Sequence, residues 1–578
     1  MNDFLLSGEF PQPGLILIAC GLLCLITPTK LRRALVLLCP VLTLGAVLQS
    51  GADKLAIMFG IIFSVISFVA ALYNLSVKDR FEVAAETIYA GASVSVIFSQ
   101  GWISMLVYWE MMAVFSWLTQ ISARTRSASQ AGFRYLMVHM LGGNLLLAGI
   151  VMKLTGGSTL IQCLTTDPHD AAFWLILAGV AVNGAIPPLH AWIADAYPQA
   201  TVGGTVYMGS FTTKVGVYYL IRLFAGTELL LYFGVFMALC GACMALLENN
   251  LRRLLAYHIV SQVGYMVAAV ALGGALGIDG AAAHAFNNIL YKGTLLMCAG
   301  TVISVTGKQK ISQMGGLGRK MPLTAGCFLI ASLAIAGFPL FSGFVSKSLI
   351  MNAAAESGLH WPELLLMVAS AGTLLSITLK INYFVFWGKT DSPDLSLTSE
   401  GAEVSEASVP LSRKAAMVLG AAGCILCGLM PDLVYGLTPY GSDGHPFTVD
   451  HVTQYMELFA GATMAFLMYL SHMKPHEQIT LDADWLYRKP LKAAVGRLAV
   501  AVDGARRGAG DGLGRLIQKG NRYLHDPGLI LKEWFGKKPP GQRDCLEDDD
   551  VLQKPAGWLV TVNILVFLAV VLFVFYNM

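Results

Sequence analysis

An all-α polytopic membrane protein is the fold class this chain predicts, and three observations carry the prediction. Hydrophobic residues fill 56% of the 578 positions and charged ones 13%, with a mean hydropathy of +0.63, a composition foreign to a soluble globule. Apolar runs of about 20 residues, long enough to cross a bilayer as a helix, recur along most of the chain. Two of the runs are interrupted by glycine and proline and have a lysine downstream. Proline removes a backbone donor and clashes with the carbonyl four residues back, so each of these helices must break inside the bilayer. Broken backbone there has to line protein or water.

In chain order, apolar runs begin near Pro13, Ala34, Leu55, Val83, Trp102, Phe133, Ala171, Gly203, Glu228, Leu254, Gly280, Pro322, Pro362, Ala415, Val452 and Trp558, about sixteen spans by the length rule. An even count returns both termini to one side. The start, MNDFLLSGEFPQPG, lacks the basic region of a signal peptide, so the first run reads as a retained span with the amino terminus outside. Basic residues collect on alternate loops: Lys30, Arg32 and Arg33; Lys78 and Arg80; Arg124 and Arg126; Arg252 and Arg253; Lys308, Lys310, Arg319 and Lys320; Arg413 and Lys414. Those loops are expected on the cytoplasmic side, with Lys54, Lys153 and Arg222 as exceptions at outer ends.

The fifth span, WISMLVYWEMMAVFSWLTQIS, holds Glu110 about halfway along its apolar length. A carboxylate there is protonated, paired or solvated by internal water, and a structural ion pair is the plain alternative to a place on an ion path. Glu86, near the inner end of the fourth span, is a weaker candidate that could snorkel to water. The seventh span is interrupted at Asn183-Gly184 and Pro187-Pro188, and the eighth carries Lys214. A mid-span lysine is costly in hydrocarbon and is a candidate for an ion or proton path. Gly203-Gly204 reads as a turn that lets the Lys214 helix pack beside the broken one, within reach of Glu110.

The tenth span, LLAYHIVSQVGYM, places His258 and Gln262 on one helix face. The eleventh, AAAHAFNNILYKGTLLM, places His284, Asn288 and Lys292 at i, i+4 and i+8. One buried histidine is more often a packing residue, whereas a His, Asn and Lys stripe reads as a hydrated relay. The second interruption, over 337–343 with Gly337, Pro339 and Gly343, precedes Lys347 and lies five spans after the first. Interrupted helices in corresponding positions are what inverted-repeat transporters show, and an odd offset inverts the copies. Lys380, near the end of the thirteenth span, fits a snorkelling anchor and a relay terminus equally.

Eleven cysteines include two CxxC spacings, Cys240 with Cys243 and Cys424 with Cys427, inside apolar runs with no His or Asp nearby in sequence. They read as small residues packing between helices, and no metal site is expected. No iron–sulfur, haem or nucleotide motif appears, so no cofactor and no nucleic-acid partner is expected.

Trp109-Glu110, IPPLHAWIADA, KVGVYYLIR, LLAYHIVSQVGYM, HAFNNILYKG and GFPLFSGFVSK together resemble the antiporter-like subunits of respiratory complex I, shared with Mrp-type cation/proton antiporters and membrane-bound hydrogenases. The resemblance spans roughly residues 80 to 390. It implies two inverted five-helix bundles, each with one broken helix, and a hydrophilic axis of Glu and Lys or His that moves protons or Na+. Glu110, His284, Lys292 and Lys347 occupy the family's positions. Asn183 stands where the family usually has a lysine and Asn288 where it often has a histidine, so Lys214 is expected to supply the missing cation.

The expected organisation is residues 1–80 as amino-terminal helices, 81–225 and 226–390 as the two repeats, 391–473 as carboxy-terminal helices, 474–554 as a lateral amphipathic arm and 555–578 as a final anchoring span. The arm sequence from Asp484, DWLYRKPLKAAVGRLAVAVDGARRGAGDGLGRLIQKGNRYL, has apolar residues at roughly helical spacing with basic ones between, as in a helix lying on the cytoplasmic membrane surface. A disordered basic linker is the alternative. This plan is similar to that of the longest complex I antiporter-like subunit. The expected protein is a translocating subunit of a multisubunit complex in a bacterial or archaeal cytoplasmic membrane, with lipid and other membrane subunits as partners. A non-conducting scaffold, or a subunit coupling ion flow to a soluble partner such as a hydrogenase or an inorganic-carbon uptake enzyme, are the competing readings. The chain carries no redox site of its own.

Overall fold

The structure is a computed structural model, and it describes residues 12–165, 170–388, 404–442 and 444–476, with isolated positions between 482 and 500. Among the described residues the fold is helical, with two isolated bridges and no strand. The helices are α1 (Gly14–Ile26), α2 (Thr29–Gln49), α3 (Lys54–Tyr73), α4 (Arg80–Ile97), α5 (Trp102–Ile121), α6 (Arg126–Thr155) and α7 (Ala171–Asn183). The short α8 (Ala191–Ala196) follows, then α9 (Val202–Ser210), α10 (Thr212–Phe224), α11 (Leu229–Leu247), α12 (Leu251–Leu272) and α13 (Gly274–Thr306). The rest are α14 (Leu317–Lys320), α15 (Pro322–Ala336), α16 (Ser342–Glu356), α17 (His360–Thr373), which continues as a π-helix over Leu374–Trp387, α18 (Leu411–Leu429), α19 (Asp432–Tyr435) and α20 (Val449–Met468).

Among the described residues, eight helices are long and apolar enough to cross a membrane, and three shorter apolar ones are α1, α7 and α15. That is fewer than the sixteen spans expected, and three of the differences have a local reason. The two interruptions shorten α7 and α15, and a discontinuity at Phe211 divides the eighth run into α9 and α10. The chain divides into two units, Met1–Thr480 and Leu481–Met578, and all the helices named here belong to the first. From Leu481 onward the expected lateral arm and final anchoring span fall in the second and lie outside the described residues, apart from those isolated positions.

Capping chemistry starts several helices where the sequence turns polar. Asp53, Asp79, Thr125, Asp170 and Asn250 each accept a hydrogen bond from a first-turn amide, satisfying a donor the helix itself leaves unpaired. The Phe173 amide, with Lys153 beside it, holds the Asp170 carboxyl below the usual aspartate range. α12 and α13 are buried along nearly their whole length, and α13 packs against α9, α12, α15, α16 and α18. The outer helices turn large apolar side chains outward, among them Leu22, Leu38, Phe236, Leu429 and Leu467, as a lipid-facing surface requires.

Three local expectations need correction. Gly203 and Gly204 form no turn; they open α9, where Thr201 Oγ1 accepts from the Gly204 amide at 2.9 Å. The close approach of α10 to the broken helix is made by Gly216 instead. A Cβ there would lie 2.6 Å from the Gly184 nitrogen and 2.9 Å from the Asn183 carbonyl carbon. The second break is also shorter than expected, because α15 stops at Gly337 with φ 87° and Gly343 already lies inside α16. Glu86 does not snorkel: it is 1% exposed and accepts from Asn74 Nδ2 at 2.9 Å, since α4 is buried on the side that carries it.

Candidate functional site

Three buried lysines share one kind of partner, the carbonyls at the end of a helix. Lys214 Nζ donates to the Gly209 carbonyl in the last turn of α9, at 2.9 Å, and to Thr213 Oγ1 at 3.2 Å. Lys347 Nζ donates to the Ile335 and Ala336 carbonyls that end α15, at 3.0 and 3.1 Å, and to Ser370 Oγ at 2.8 Å. Lys380 Nζ donates to the Leu246 and Glu248 carbonyls at the end of α11, at 2.6 and 2.8 Å. Last-turn carbonyls lack amide partners and carry the negative end of the helix dipole. Each discontinuity therefore creates the acceptor that a buried ammonium needs. Lys380 is 3% exposed, so the snorkelling-anchor alternative does not describe its position.

Lys292 is built differently. It lies inside the long α13, far from either end, fully buried, and its Nζ has no hydrogen-bond partner among the described residues. α13 packs against α10, the helix that carries Lys214. Around it runs a set of side-chain contacts: Asn288 Nδ2 donates to Tyr291 Oη at 3.1 Å, Tyr291 Oη donates to Gln262 Oε1 at 3.3 Å, and Tyr291 Oη lies 3.4 Å from His284 Nε2. His284 Nδ1 is 2.9 Å from Ser346 Oγ, next in sequence to Lys347. His258 Nε2 is 2.7 Å from Ser376 Oγ, one helical turn before Lys380. The polar row thus passes from α10 through α13 and α12 to α16 and the π-helix.

Tyr265 was not anticipated from the sequence. Its ring lies 4.7 Å beneath the Lys347 ammonium, and its hydroxyl donates to the Leu366 carbonyl at 2.6 Å and to Ser370 Oγ at 3.2 Å. A cation over an aromatic face gains roughly 0.5 to 2 kcal/mol without adding an opposite charge. The only available signal was its place in VSQVGYM, one turn after Gln262 and two turns after His258.

Glu110 stands at the opposite end of the row. Its carboxylate presses against Gly143 of α6, where a Cβ would come within 1.7 Å of Glu110 Oε1. Among the described residues it forms no ion pair with Lys214, whose amine is turned toward the end of α9. The expected direct Glu110–Lys214 pair is therefore absent from this structure, because Thr213 and the Gly209 carbonyl hold the lysine elsewhere. Asn183 is buried as the last residue of α7, and Pro187 and Pro188 lie in the non-helical stretch before α8. Pro339 lies in the stretch between α15 and α16.

Two further polar features escaped the sequence. His139 of α6 is 2% exposed, and neither ring nitrogen has a hydrogen-bond partner among the described residues. Asp279, fully buried near the start of α13, accepts from Thr438 Oγ1, from the Tyr440 and Ser442 amides and from Ser442 Oγ. Four donors satisfy that carboxylate, which marks it as a structural clasp. At the far end of α10, Lys214, Tyr218 and Arg222 follow at i, i+4 and i+8; Arg222 Nε donates to Tyr218 Oη at 2.9 Å and its guanidinium pairs with Asp53. Asp53, Ser99, Gln100 and Arg222 line a cavity of about 210 Å³ there.

Fold and site together define a polytopic helical membrane protein with titratable side chains strung through its interior. The family described as "NADH:quinone oxidoreductase/Mrp antiporter, TM" matches residues 99–376 of this chain. The F(420)H(2) dehydrogenase subunit L of Methanosarcina mazei is 29% identical over 388 residues, 58% of this chain and 58% of that protein. The hydrogenase-4 component B of Escherichia coli K12 is 28% identical over 421 residues, 65% of this chain and 62% of that protein. The chain thus spans about three-fifths of the length of these curated relatives. In the solved Mrp complex from Dietzia sp. DQ12-45-1b, one chain superposes with a TM-score of 0.66 at 21% identity, covering 78% of this chain and 98% of that one, a likeness of fold.

Proposed function

We propose that this protein is a proton-translocating, antiporter-like membrane subunit of a multisubunit complex, with Na+ as the alternative cargo. The observation that carries the reading is Lys292, an amine fully buried in the middle of a long helix with no hydrogen-bond partner among the described residues. An ammonium in that position is too costly to keep for packing, and burial of such a group inside a membrane fold is by default functional. On either side stand Lys214 and Lys347, each at the end of an interrupted or divided helix. Protons pass along Lys214, Lys292, His284, His258, Lys347 and Lys380, with Glu110 setting the charge at the first end. The cavity beside Arg222 and Asp53 serves as a water-filled mouth for the first half.

The same reading takes α4 to α10 and α11 to the π-helix as two inverted five-helix bundles. Support comes from the matched positions of the two breaks, each followed by a buried lysine. Other integral membrane subunits adjoin it, and the driving reaction belongs to them. The amino terminus lies outside and the basic loops face the cytoplasm.

The test is transport by the intact complex in proteoliposomes. Lys292→Met and Lys347→Met should each reduce proton movement about 100-fold or more, the scale on which single acid–base groups act, while the complex still assembles. Transport unchanged in both variants would leave the scaffold reading in place.

A further inference from the structure

Glu110 and Lys214 are not joined directly, and an asparagine side chain such as Asn183 carries no proton at physiological pH. A path through the first half needs a titratable group between them, and three observations on α6 converge on one. First, Tyr135, His139 and Gly143 follow at i, i+4 and i+8 and so share a face. Gly143 receives the Glu110 carboxylate, while Tyr135 Oη lies 2.8 Å from Ser116 Oγ and 3.4 Å from Thr212 Oγ1, two residues before Lys214. His139 stands between these contacts.

Second, ring edges flank the imidazole. Tyr135 and Trp192 pack T-shaped against it with centroids 4.0 and 4.5 Å away. Their polar atoms are committed elsewhere: Trp192 Nε1 donates to the Val182 carbonyl at 3.1 Å, beside Asn183, and the Tyr135 hydroxyl serves Ser116 and Thr212. Both His139 nitrogens are buried without a hydrogen-bond partner among the described residues, and buried polar groups of this kind take water. Third, α6 touches the broken helix at the same level, since a Cβ on Gly142 would meet Val182 Cβ at 2.9 Å. His139 therefore sits where α5, α6 and the first break meet, on the same kind of stripe that carries His284, Asn288 and Lys292 on α13.

We propose that His139 is the proton-relay residue between Glu110 and Lys214, an inference that rests on the proton-translocating reading. The Glu110 carboxylic acid gives its proton, through one water, to the unprotonated ring nitrogen. The imidazolium then releases the proton from its other nitrogen toward the hydroxyl set of Tyr135 and Thr212. The neutral Lys214 amine takes it up. One proton moves, a neutral Glu and Lys become a carboxylate and an ammonium, and the ring ends neutral as the other tautomer. Imidazole suits the step because its two nitrogens accept and donate independently.

The experiment uses the intact complex in proteoliposomes. His139→Phe keeps a ring against Tyr135 and Trp192 and removes the titratable nitrogens, and His139→Gln keeps polarity without titration. Both should copurify with the partner subunits and lose transport about 100-fold. In the unaltered complex, NMR of isotope-labelled histidine should show solvent deuterium entering the His139 ring during turnover. Near-normal transport in either assembled variant overturns the inference. A ring N–H that stays protected during turnover overturns it too, including where neither variant assembles. Transport lost in Lys292→Met but kept in His139→Phe removes only the His139 relay, whereas transport kept in both removes the translocating reading as well.

Discussion

A buried lysine is tolerable only where something stabilises its charge, and the four central lysines divide on that point. Lys214, Lys347 and Lys380 each meet helix-end carbonyls, whereas Lys292 meets none among the described residues. The same reasoning makes Gly143 a functional position although it bears no side chain. Its Cα surface is what the Glu110 carboxylate rests on, and Gly143→Ala would put a methyl 1.7 Å from Oε1. The carboxylate must then swing away. Gly143→Ala is therefore expected to lose transport to the extent that Glu110→Gln does. Helix propensity alone would make the alanine more stable by roughly 0.5 to 1 kcal/mol, so a lowered melting temperature would reveal damage to packing instead. Measured together, transport and melting separate the two.

At the scale of elements, the interruptions do more than expose backbone. α7 stops at Asn183, and α10 docks on the broken stretch through Gly216, two residues beyond Lys214. Register between α10 and the break therefore sets where the lysine stands. Gly216→Ala would drive a methyl to 2.6 Å from a backbone nitrogen, which cannot yield as a flexible side chain would. Its expected cost is about 1–3 kcal/mol, the usual range for overpacking, with a loss of transport. Gly326→Ala is the control, since nothing lies within 4 Å of a Cβ there and the change should be neutral or mildly stabilising. Thermal unfolding of the purified complex reads both. Equal stability of the two variants would contradict the docking role of Gly216.

Across the whole molecule, the charged residues outside the row tie its ends together. Arg32 donates to the Lys78 carbonyl, Arg80 to the Leu25 carbonyl, Arg252 to the Ala200 carbonyl and Arg413 to Ser304 Oγ, so basic residues of alternate loops hold one end. At the other end, the exceptions Lys153 and Arg222 are paired with Asp170 and Asp53. An acid thus pairs with each of these two cations. For the carboxy-terminal arm, truncation from Asp484 onward is expected to release neighbouring subunits during purification while the preceding helices still insert. Subunit stoichiometry by quantitative gel or mass analysis checks this, and unchanged stoichiometry would identify the arm as a linker.

Much was legible in the sequence because it depends on local chemistry. Run length and polarity identify a membrane fold, proline and glycine mark where helices must break, and a lysine in an apolar run declares itself by its cost. Eight of the described helices are long and apolar enough to cross a membrane, and α7 ends at Asn183 while α15 is capped at Gly337. Tertiary structure alone decided what each buried group meets. Lys380 finds carbonyls 134 and 132 residues away, His258 finds Ser376 across 118, and Glu110 rests on Gly143 in place of pairing with Lys214. His139 was passed over because a lone histidine in an apolar helix has the sequence signature of packing. Only the neighbours' polar atoms, committed elsewhere, reveal that its nitrogens lack a hydrogen-bond partner among the described residues. The physical reason is one of range: secondary structure and membrane burial follow from neighbours along the chain, whereas the protonation chemistry of a buried group is set by whatever the fold brings beside it.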